Sequence, residues 1–556
     1  MAASPVQEQA DAMTKIVTVD QMKAIEAAAD QAGITYAMMM DAAGHAVAEH
    51  VLARLDALDE HKVVILVGAG NNGGDGLVAA HRLAEAGANV SIYAAKPLDE
   101  SDPKVQRLRQ KSVFTADAEN DTRWRVLKNL MGGVTVLVDA VFGTGVRLPL
   151  SGKAADLLKQ VGKYLAERDA PRPLVIAVDC PSGLNCDTGA LDPLALPADA
   201  TVTFAAVKRG QLLFPGAEAV GDLAVADIGL EDRALPELEG VALELATEDG
   251  VRALLPARPR NAHKGTFGRV VVAAGSVNYT GAAYLAGAAA YRIGAGLVTL
   301  AVPLPLYAIL AGQLPEATWL ILPHELGVIA SGAADVVREA LPKTQALLVG
   351  PGLGLEKETA AFVRRLIGAD DTASRRGTFG FLPVAGAEAN AALTLPPLVV
   401  DADGLKLLAQ VDGWAAKLPR ATVLTPHPGE MAVLTGLDKD TLEADRVATA
   451  QKYAAEWGHV VVLKGAYTVV AAPDGRTTVE PFATAALARA GTGDVLAGAI
   501  AGMLAQGVAP YEAAVAAAFL HGLAGTLAAQ SLGSTAAVLA GDVLAGLIEA
   551  QAELAA

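Results

Sequence analysis

The chain is short of cysteine, of aromatic side chains and of positive charge. It carries only Cys180 and Cys186 in 556 residues, and both fall in one short stretch. Two neighbouring thiols cannot staple a chain of this length, so a disulfide framework is excluded and a reducing cytoplasm is the expected compartment. Aromatics make up 4% of the sequence while hydrophobic residues make up 52%. The core is therefore built from Ala, Val and Leu, which suits helices packed on buried parallel strands. Lys and Arg number 44 against 61 Asp and Glu, a net charge of −17. That balance argues against a nucleic-acid surface, because phosphate backbones have to be met by clustered cations, and small molecules fit better as partners.

Long uninterrupted apolar runs are missing as well. The most apolar windows, around residues 281–300 and 484–508, are broken by Arg292, by Arg489 and Asp494, and by many glycines, so no membrane partner is expected. Residues 1–14 are polar and acidic and have no apolar segment of the kind a secretory signal needs, so they read as a flexible tail. The length implies at least two domains.

What is present is a rhythm of strand, glycine-bearing turn and helix. Residues 15–50 have helical periodicity, with Met22, Ile25 and Ala29 spaced on one face. Residues 63–67 (VVILV) form a continuous apolar run of the kind found in a strand buried on both faces. They lead into Gly68-Ala69-Gly70-Asn71-Asn72-Gly73-Gly74-Asp75-Gly76 and then a helix predicted from Leu77. Strand, glycine loop and helix is the geometry in which backbone amides meet a phosphate. The Asn and Asp side chains add oxygens that a phosphate cradle does not need, which points to a cation or a polar substrate. Two later apolar runs end in Asp139 and Asp179. In an open parallel sheet the strand carboxyl ends line the ligand crevice, so these carboxylates should converge on the loop at 71–76; as helix caps or turn formers they would do nothing of the kind.

Four strings occur in order: GAGNNGGDG at 68–76, VDAVFGTGVRLP at 138–149, VDCPSGLNCDTG at 178–189 and TFAAVKRG at 203–210. Together they resemble the NAD(P)H-hydrate epimerases, over about residues 15–230. The resemblance implies a Rossmann-like fold. It also implies a hydrated-nucleotide site made by Asn71, Asn72, Gly73, Gly74 and Asp75 with Gly143, Thr144, Gly145, Val146, Arg147, Leu148 and Pro149, and with Asp179 in contact. Asn72, Asp139 and Ser182 would lie at a potassium ion, for which amide, carboxylate and hydroxyl oxygens are suitable hard ligands. Asp139 is the candidate acid/base for epimerisation and Lys208 the second candidate; one lysine by itself could equally be a solvated surface residue.

Between residues 227 and 258 the rhythm lapses, and the domain junction is expected near Ala246. A second α/β series follows. Its strands end in Gly350-Pro351-Gly352-Leu353-Gly354, in Asp401-Ala402-Asp403, in Thr425-Pro426-His427-Pro428-Gly429-Glu430 and in Lys464-Gly465. It culminates in Ala490-Gly491-Thr492-Gly493-Asp494 ahead of an apolar helix. Glycines at a helix start expose unpartnered amides to which the helix dipole draws an anion. A carboxylate beside a bound phosphate is repelled unless it handles a proton or a metal, so Asp494 suggests phosphoryl chemistry; as an ordinary first-turn acid it would carry no such meaning. Lys464 at a strand end suits a nucleotide phosphate, although strand-end lysines are also routine.

AGTGDVLAG at 490–498 resembles the ribokinase-like superfamily. Its companions KGTFGRVVVAAGS, LPEA, GPGLG, VVDADGL, LTPHPGEMA and VLKGAYT narrow the resemblance to the NAD(P)H-hydrate dehydratases, over about residues 246–545. By that resemblance Lys464, Gly465, Ala466, Tyr467, Thr468 and Gly493 would bind the adenine nucleotide, and Ala282, Gly354, His427 and Asp494 the hydrated substrate. Two departures stand out: residues 368–397 look like an insertion, and Pro481-Phe482-Ala483-Thr484 replaces a Thr-Gly-Asn type string.

Joined in one α/β chain, the two resemblances imply a tail at 1–14, a Rossmann-like epimerase domain at 15–245 and a ribokinase-like dehydratase domain at 246–556. The implied substrates are NADHX and NADPHX, hydrated on the reduced nicotinamide ring. ADP would be the co-substrate, with magnesium accompanying it and ATP left open. A small-molecule kinase fused to a nucleotide-binding regulatory domain is the rival. Small-residue helix faces such as residues 282–290 are compatible with a homo-oligomer and equally with ordinary core packing.

Overall fold

The protein is described here by a computed structural model covering residues 13–168, 171–230, 235–369 and 395–555. Most of the 368–397 segment and of the N-terminal tail lies outside these described residues. The chain divides into two compact units, Thr14–Ala242 and Leu243–Ala556.

In the first unit the apolar runs form a seven-stranded parallel sheet. Its spatial order is Phe114–Asp117, Asn89–Ala94, Lys62–Val67, Val136–Ala140, Leu174–Val178, Ala200–Phe204 and Asp222–Ala226. Successive strands step outward from Lys62–Val67 in one direction, and from Val136–Ala140 in the other. The reversal between those two adjacent strands opens a crevice at their carboxyl ends. Both strands are almost wholly buried, as continuous Val/Ile/Leu runs require. A short parallel pair, Thr14–Val17 with Val207–Lys208, stands apart from this sheet.

Two segments differ from the sequence-based expectation. Residues 15–50 are not continuously helical: a strand at Thr14–Val17 precedes helices Val19–Gln31 and Tyr36–Leu52. The capping side chains decide this, since Thr18 accepts from the Gln21 amide and Thr35 from the Met38 amide, so each starts a new helix. The glycine loop is also shorter than expected, because the helix begins at Asn71 and runs to Glu85. Gly73 permits it: a Cβ there would sit 2.1 Å from the Gly68 carbonyl oxygen, so the first turn packs directly on the strand-end backbone.

In the second unit seven strands run parallel in the order Thr318–Leu322, Leu297–Pro303, Arg269–Ala273, Ala346–Val349, Leu398–Val400, Val423–Leu424 and Val460–Leu463. Antiparallel Val469–Ala471 and Thr477–Val479 extend the sheet, and Leu243–Leu245 pairs parallel with the last of them. Here the order reverses between Arg269–Ala273 and Ala346–Val349. Helices Thr280–Arg292, Thr492–Ala505 and Pro510–Leu532 present Ala- and Gly-rich faces to the core. Pro510–Leu532 is long and apolar enough to cross a bilayer, but 78% of its apolar window is buried inside the protein. Its composition is thus accounted for by core packing.

Candidate active sites

The first unit's crevice, about 640 Å³, lies at the topological reversal. Its wall includes Asn71, Asn72 and Asp75 from the first helical turn, Gly143, Thr144, Gly145 and Val146 from the loop after Val136–Ala140, and Asp179. Gly73, Gly74, Arg147, Leu148 and Pro149 do not line it. Gly74 instead backs onto Met40, and Arg147 is exposed.

Asp139, Ser182 and Lys208 sit beneath the wall. Asp139 is 0% exposed and its carboxylate is fully engaged. The Ser182 hydroxyl donates to Oδ1 at 2.6 Å, the Ser182 amide to Oδ2 at 2.9 Å and the Val141 amide to Oδ1 at 3.3 Å. Burial pushes its pKa up, against the hydrogen bonds from Ser182 and Val141. The Ser182 hydroxyl in turn accepts from the Phe142 amide at 2.8 Å, and the Asn72 amide donates to the Phe142 carbonyl at 3.1 Å. These contacts tie the two loops of the crevice together. Lys208 is no surface lysine: it is 1% exposed. Its ammonium donates to Asp179 Oδ1 at 2.6 Å, Thr203 Oγ1 at 2.9 Å and the Phe204 carbonyl at 3.0 Å, which uses all three protons. Neither Asp139 nor Lys208 is on the wall of the crevice, and each is held by the hydrogen bonds just given. Each holds other groups in place.

Two other carboxylates do face it. Asp75, 8% exposed, is pushed well above the ordinary carboxylate range by burial, with Asp179 and Glu26 adding to the effect. Glu26 is raised by burial and by Asp179, and lowered less by Lys208 and Lys23. Glu26 belongs to the helix Val19–Gln31, whose Val19, Met22, Ile25 and Ala29 enter the core. The neighbouring strip of that helix, with Lys23 and Glu26, borders the crevice. Sequence reasoning missed Glu26, Lys23, Lys96 and Lys153, since only the tertiary packing brings them to the site.

In the second unit a cavity of about 510 Å³ gathers His427, Lys464, Gly465, Ala466, Thr468, Gly493 and Asp494. Tyr467, Ala282 and Gly354 are not on its wall. Ala282 stands beside the Gly352 loop, while the Gly354 amide donates to Asp403 Oδ2 at 3.0 Å, so both lie by the reversal between Arg269–Ala273 and Ala346–Val349. Phe482 and Thr484 of the unusual 481–484 string do line the cavity.

A charged ladder organises this cavity. Lys464 Nζ donates to Asp401 Oδ1 at 2.7 Å, the Thr425 hydroxyl donates to the same oxygen at 2.7 Å, and Glu430 Oε2 lies 3.8 Å from the ammonium. Asp401 is 1% exposed, and the lysine is the cation paired with it. Burial works against the Lys464 charge, but Asp401 and Glu430 outweigh it and hold its pKa above the usual lysine value. His427 caps the helix Pro428–Thr435: its Nδ1 accepts from the Gly429 amide at 2.9 Å, and its Nε2 faces Glu430 Oε1 at 3.2 Å. Because Nδ1 is an acceptor, Nε2 carries the proton.

At the far wall Gly491 adopts φ +91°, and the helix Thr492–Ala505 starts behind it, with Thr492, Gly493 and Asp494 of its first turn lining the cavity. Asp494 in that first turn is pushed up to about 7 by burial, then by Asp401, with Asp403 and Glu430 adding and Lys464 opposing. A carboxylate poised there exchanges protons near neutrality, beside amides and an ammonium able to meet phosphate. His521 hydrogen-bonds the Thr492 carbonyl at 2.9 Å through Nε2, and burial lowers its pKa to about 4. The neutral imidazole braces the turn. Asp401 and Glu430 had a sequence signal, each lying in a strand-end string; His521, inside an apolar helix, had none.

Family comparisons agree with this division. Residues 36–210 match the family described as YjeF-related protein N-terminus, and residues 270–545 match NAD(P)H-hydrate dehydratase. A bifunctional NAD(P)H-hydrate repair enzyme Nnr of Moorella thermoacetica is 37% identical over 516 residues, 91% of each chain. Its counterpart in Salinibacter ruber is 38% identical, covering 91% of this chain and 90% of that one. Among solved structures, the ADP/ATP-dependent NAD(P)H-hydrate dehydratase of Bacillus subtilis, co-crystallized with ATP and Mg2+, aligns with 56% of this chain and 98% of its own at 30% identity and a TM-score of 0.46.

Proposed function

The chain belongs to the family of bifunctional NAD(P)H-hydrate repair enzymes, and from that premise we propose how its two sites divide the work. The first domain, residues 15–245, interconverts the R and S epimers of NADHX and NADPHX. The second, residues 246–556, dehydrates the S epimer to NAD(P)H with consumption of ADP. The observation that carries this reading is Asp494 in the open first turn of Thr492–Ala505, facing Lys464 across one cavity.

Hydroxide is a poor leaving group and phosphate a good one. Asp494 takes the proton from the ring hydroxyl as the phosphoryl group arrives. The amides of Gly491 and Gly493 and the ammonium of Lys464 meet the charge on that group; phosphate then leaves the hydroxylated carbon, the adjacent ring carbon gives up a proton to solvent, and the C=C bond so formed restores the reduced ring. Gly465, Ala466 and Thr468 form the nucleotide wall, and His427 orients the substrate. Magnesium accompanying the nucleotide phosphates would supply further positive charge beside the Asp494 turn and Lys464.

In the first domain, Asn72, Asp139 and Ser182 suit potassium. Asp139 is a fully buried carboxylate with hydrogen-bond donors but, among the described residues, no cationic side chain on it, and the neighbouring oxygens are amide, hydroxyl and carbonyl. A monovalent cation there would neutralise Asp139 and stiffen both crevice loops. Small-molecule substrates and an acidic, reduced-cysteine chain support a cytoplasmic location.

The test is incubation of the purified chain with S-NADHX and ADP while the absorbance of the reduced nicotinamide is followed. Recovery of NADH is expected. A stable phosphorylated product, or no recovery with either ADP or ATP, refutes the dehydratase reading.

A further inference from the structure

The first unit's crevice holds more carboxylate than its hydrogen bonds explain. Both oxygens of Asp139 are committed to Ser182 and Val141, and Oδ1 of Asp179 to Lys208 and Thr203. Glu26 and Asp75 are not: among the described residues neither carboxylate has a hydrogen-bond donor or an ion-pair partner, and both border the same crevice. Asp75 is moreover more than nine-tenths buried. They come from separate elements, Glu26 from the helix Val19–Gln31 and Asp75 from the first turn of Asn71–Glu85. The groups facing them are Asp179 and Lys208 from beyond the sheet's central strands, Lys23 one turn before Glu26, and Lys104 on the helix Pro103–Gln110. Lys208, the cation that acts most strongly on both, is itself paired with Asp179 at 2.6 Å. Burial and the charge of Asp179 raise the proton affinity of both Glu26 and Asp75, so each holds a proton more readily than an ordinary carboxylate does.

Resting on the epimerase reading of this domain, we propose that Glu26 and Asp75 are its catalytic proton-handling pair, giving a proton to the hydroxyl that leaves the hydrated nicotinamide ring and recovering one from the water that returns. In the first half, the C–O bond at the hydrated carbon breaks, the hydroxyl departs as water with the carboxyl proton, and the ring nitrogen's lone pair forms a C=N bond. In the second half, water adds to the opposite face of that carbon, the C–O bond re-forms, the C=N electrons return to nitrogen, and the released proton goes back to the carboxylate. Nothing is oxidised or reduced, and the enzyme ends in its starting protonation state. Two carboxylates on separate elements suit this chemistry, because water leaves from one face and adds to the other.

The test uses the full chain with purified S-NADHX and no nucleotide, so that the second domain is silent, and follows appearance of the R epimer by chromatography. Glu26→Gln and Asp75→Asn, near-isosteric substitutions, should each slow the approach to the epimer mixture at least about 100-fold. Glu26→Asp should recover part of the rate, and the remaining activity of Glu26→Gln should lose its decline at high pH. ADP-dependent dehydration of the S epimer and the unfolding temperature should stay at wild-type levels, which excludes misfolding as the cause. Wild-type epimerisation by Glu26→Gln and Asp75→Asn overturns the proposal and leaves the epimerase reading standing. No epimerisation by the wild-type chain overturns the epimerase reading itself.

Discussion

Asp494→Asn should make the protein less active and more stable at once. Burial and the nearby Asp401 lift this carboxyl from an ordinary 3.8 to about 7. At about 1.4 kcal/mol per pH unit, that displacement is an upper limit of roughly 4 kcal/mol held against the ionised form. The folded chain binds the proton more tightly than the unfolded chain does. The cost is therefore absent at pH below about 3.8, grows as pH rises towards 7, and is complete above it. Asparagine cannot ionise, so the variant escapes that cost. At pH 8 its unfolding midpoint should rise by a few degrees, and at pH 5 the gain should shrink to less than half, because most of the wild-type cost has been relieved there. Dehydration of S-NADHX should fall at least about 100-fold through loss of the base. In the wild type that rate should drop nearly tenfold per pH unit below pH 7. The assays are thermal unfolding at both pH values and recovery of reduced-nicotinamide absorbance. A variant less stable than wild type at pH 8, or a gain equal at both pH values, would refute the picture of Asp494 as a strained carboxylate.

Lys464→Met should leave Asp401 buried without its cation and cost about 3–5 kcal/mol; adding Asp401→Asn should restore most of that stability without restoring ADP binding, both read by unfolding with and without ADP. Gly73→Ala should abolish epimerisation while S-epimer dehydration continues, because the new Cβ would lie 2.1 Å from the Gly68 carbonyl and force the first turn of the helix off the strand end. Asp139→Asn, which cannot accept from the Ser182 hydroxyl, the Ser182 amide and the Val141 amide as a carboxylate does, should stop net consumption of the R epimer and remove any potassium dependence; unchanged rates with the S epimer are the control.

Much of this protein was legible in the residues themselves because its determinants are local in the chain. Continuous apolar runs at 63–67, 136–138 and 174–178 specify buried parallel strands, since only a strand covered on both faces uses such a run. Gly491, Gly493 and Asp494 read as a phosphate-facing helix start for an equally local reason: φ at Gly491 and the open amides behind it depend on a few adjacent residues. The four ordered strings of the first half and the companions of AGTGDVLAG identified the family for the same reason.

Tertiary structure decided which groups are free to react. Asp139 and Lys208 carry suitable chemistry in the sequence, but their reactivity is set by partners up to 43 positions away along the chain, and those partners saturate them. Glu26 is one acid among many on an amphipathic helix until the packing of Val19, Met22, Ile25 and Ala29 turns its edge towards the crevice. The Asp494 value near 7 likewise arises from burial and then from Asp401, with Asp403 and Glu430 adding, groups that reach it from two other strand ends. Backbone conformation follows from neighbours in sequence. Proton affinity follows from burial and from charges that only the folded chain brings together.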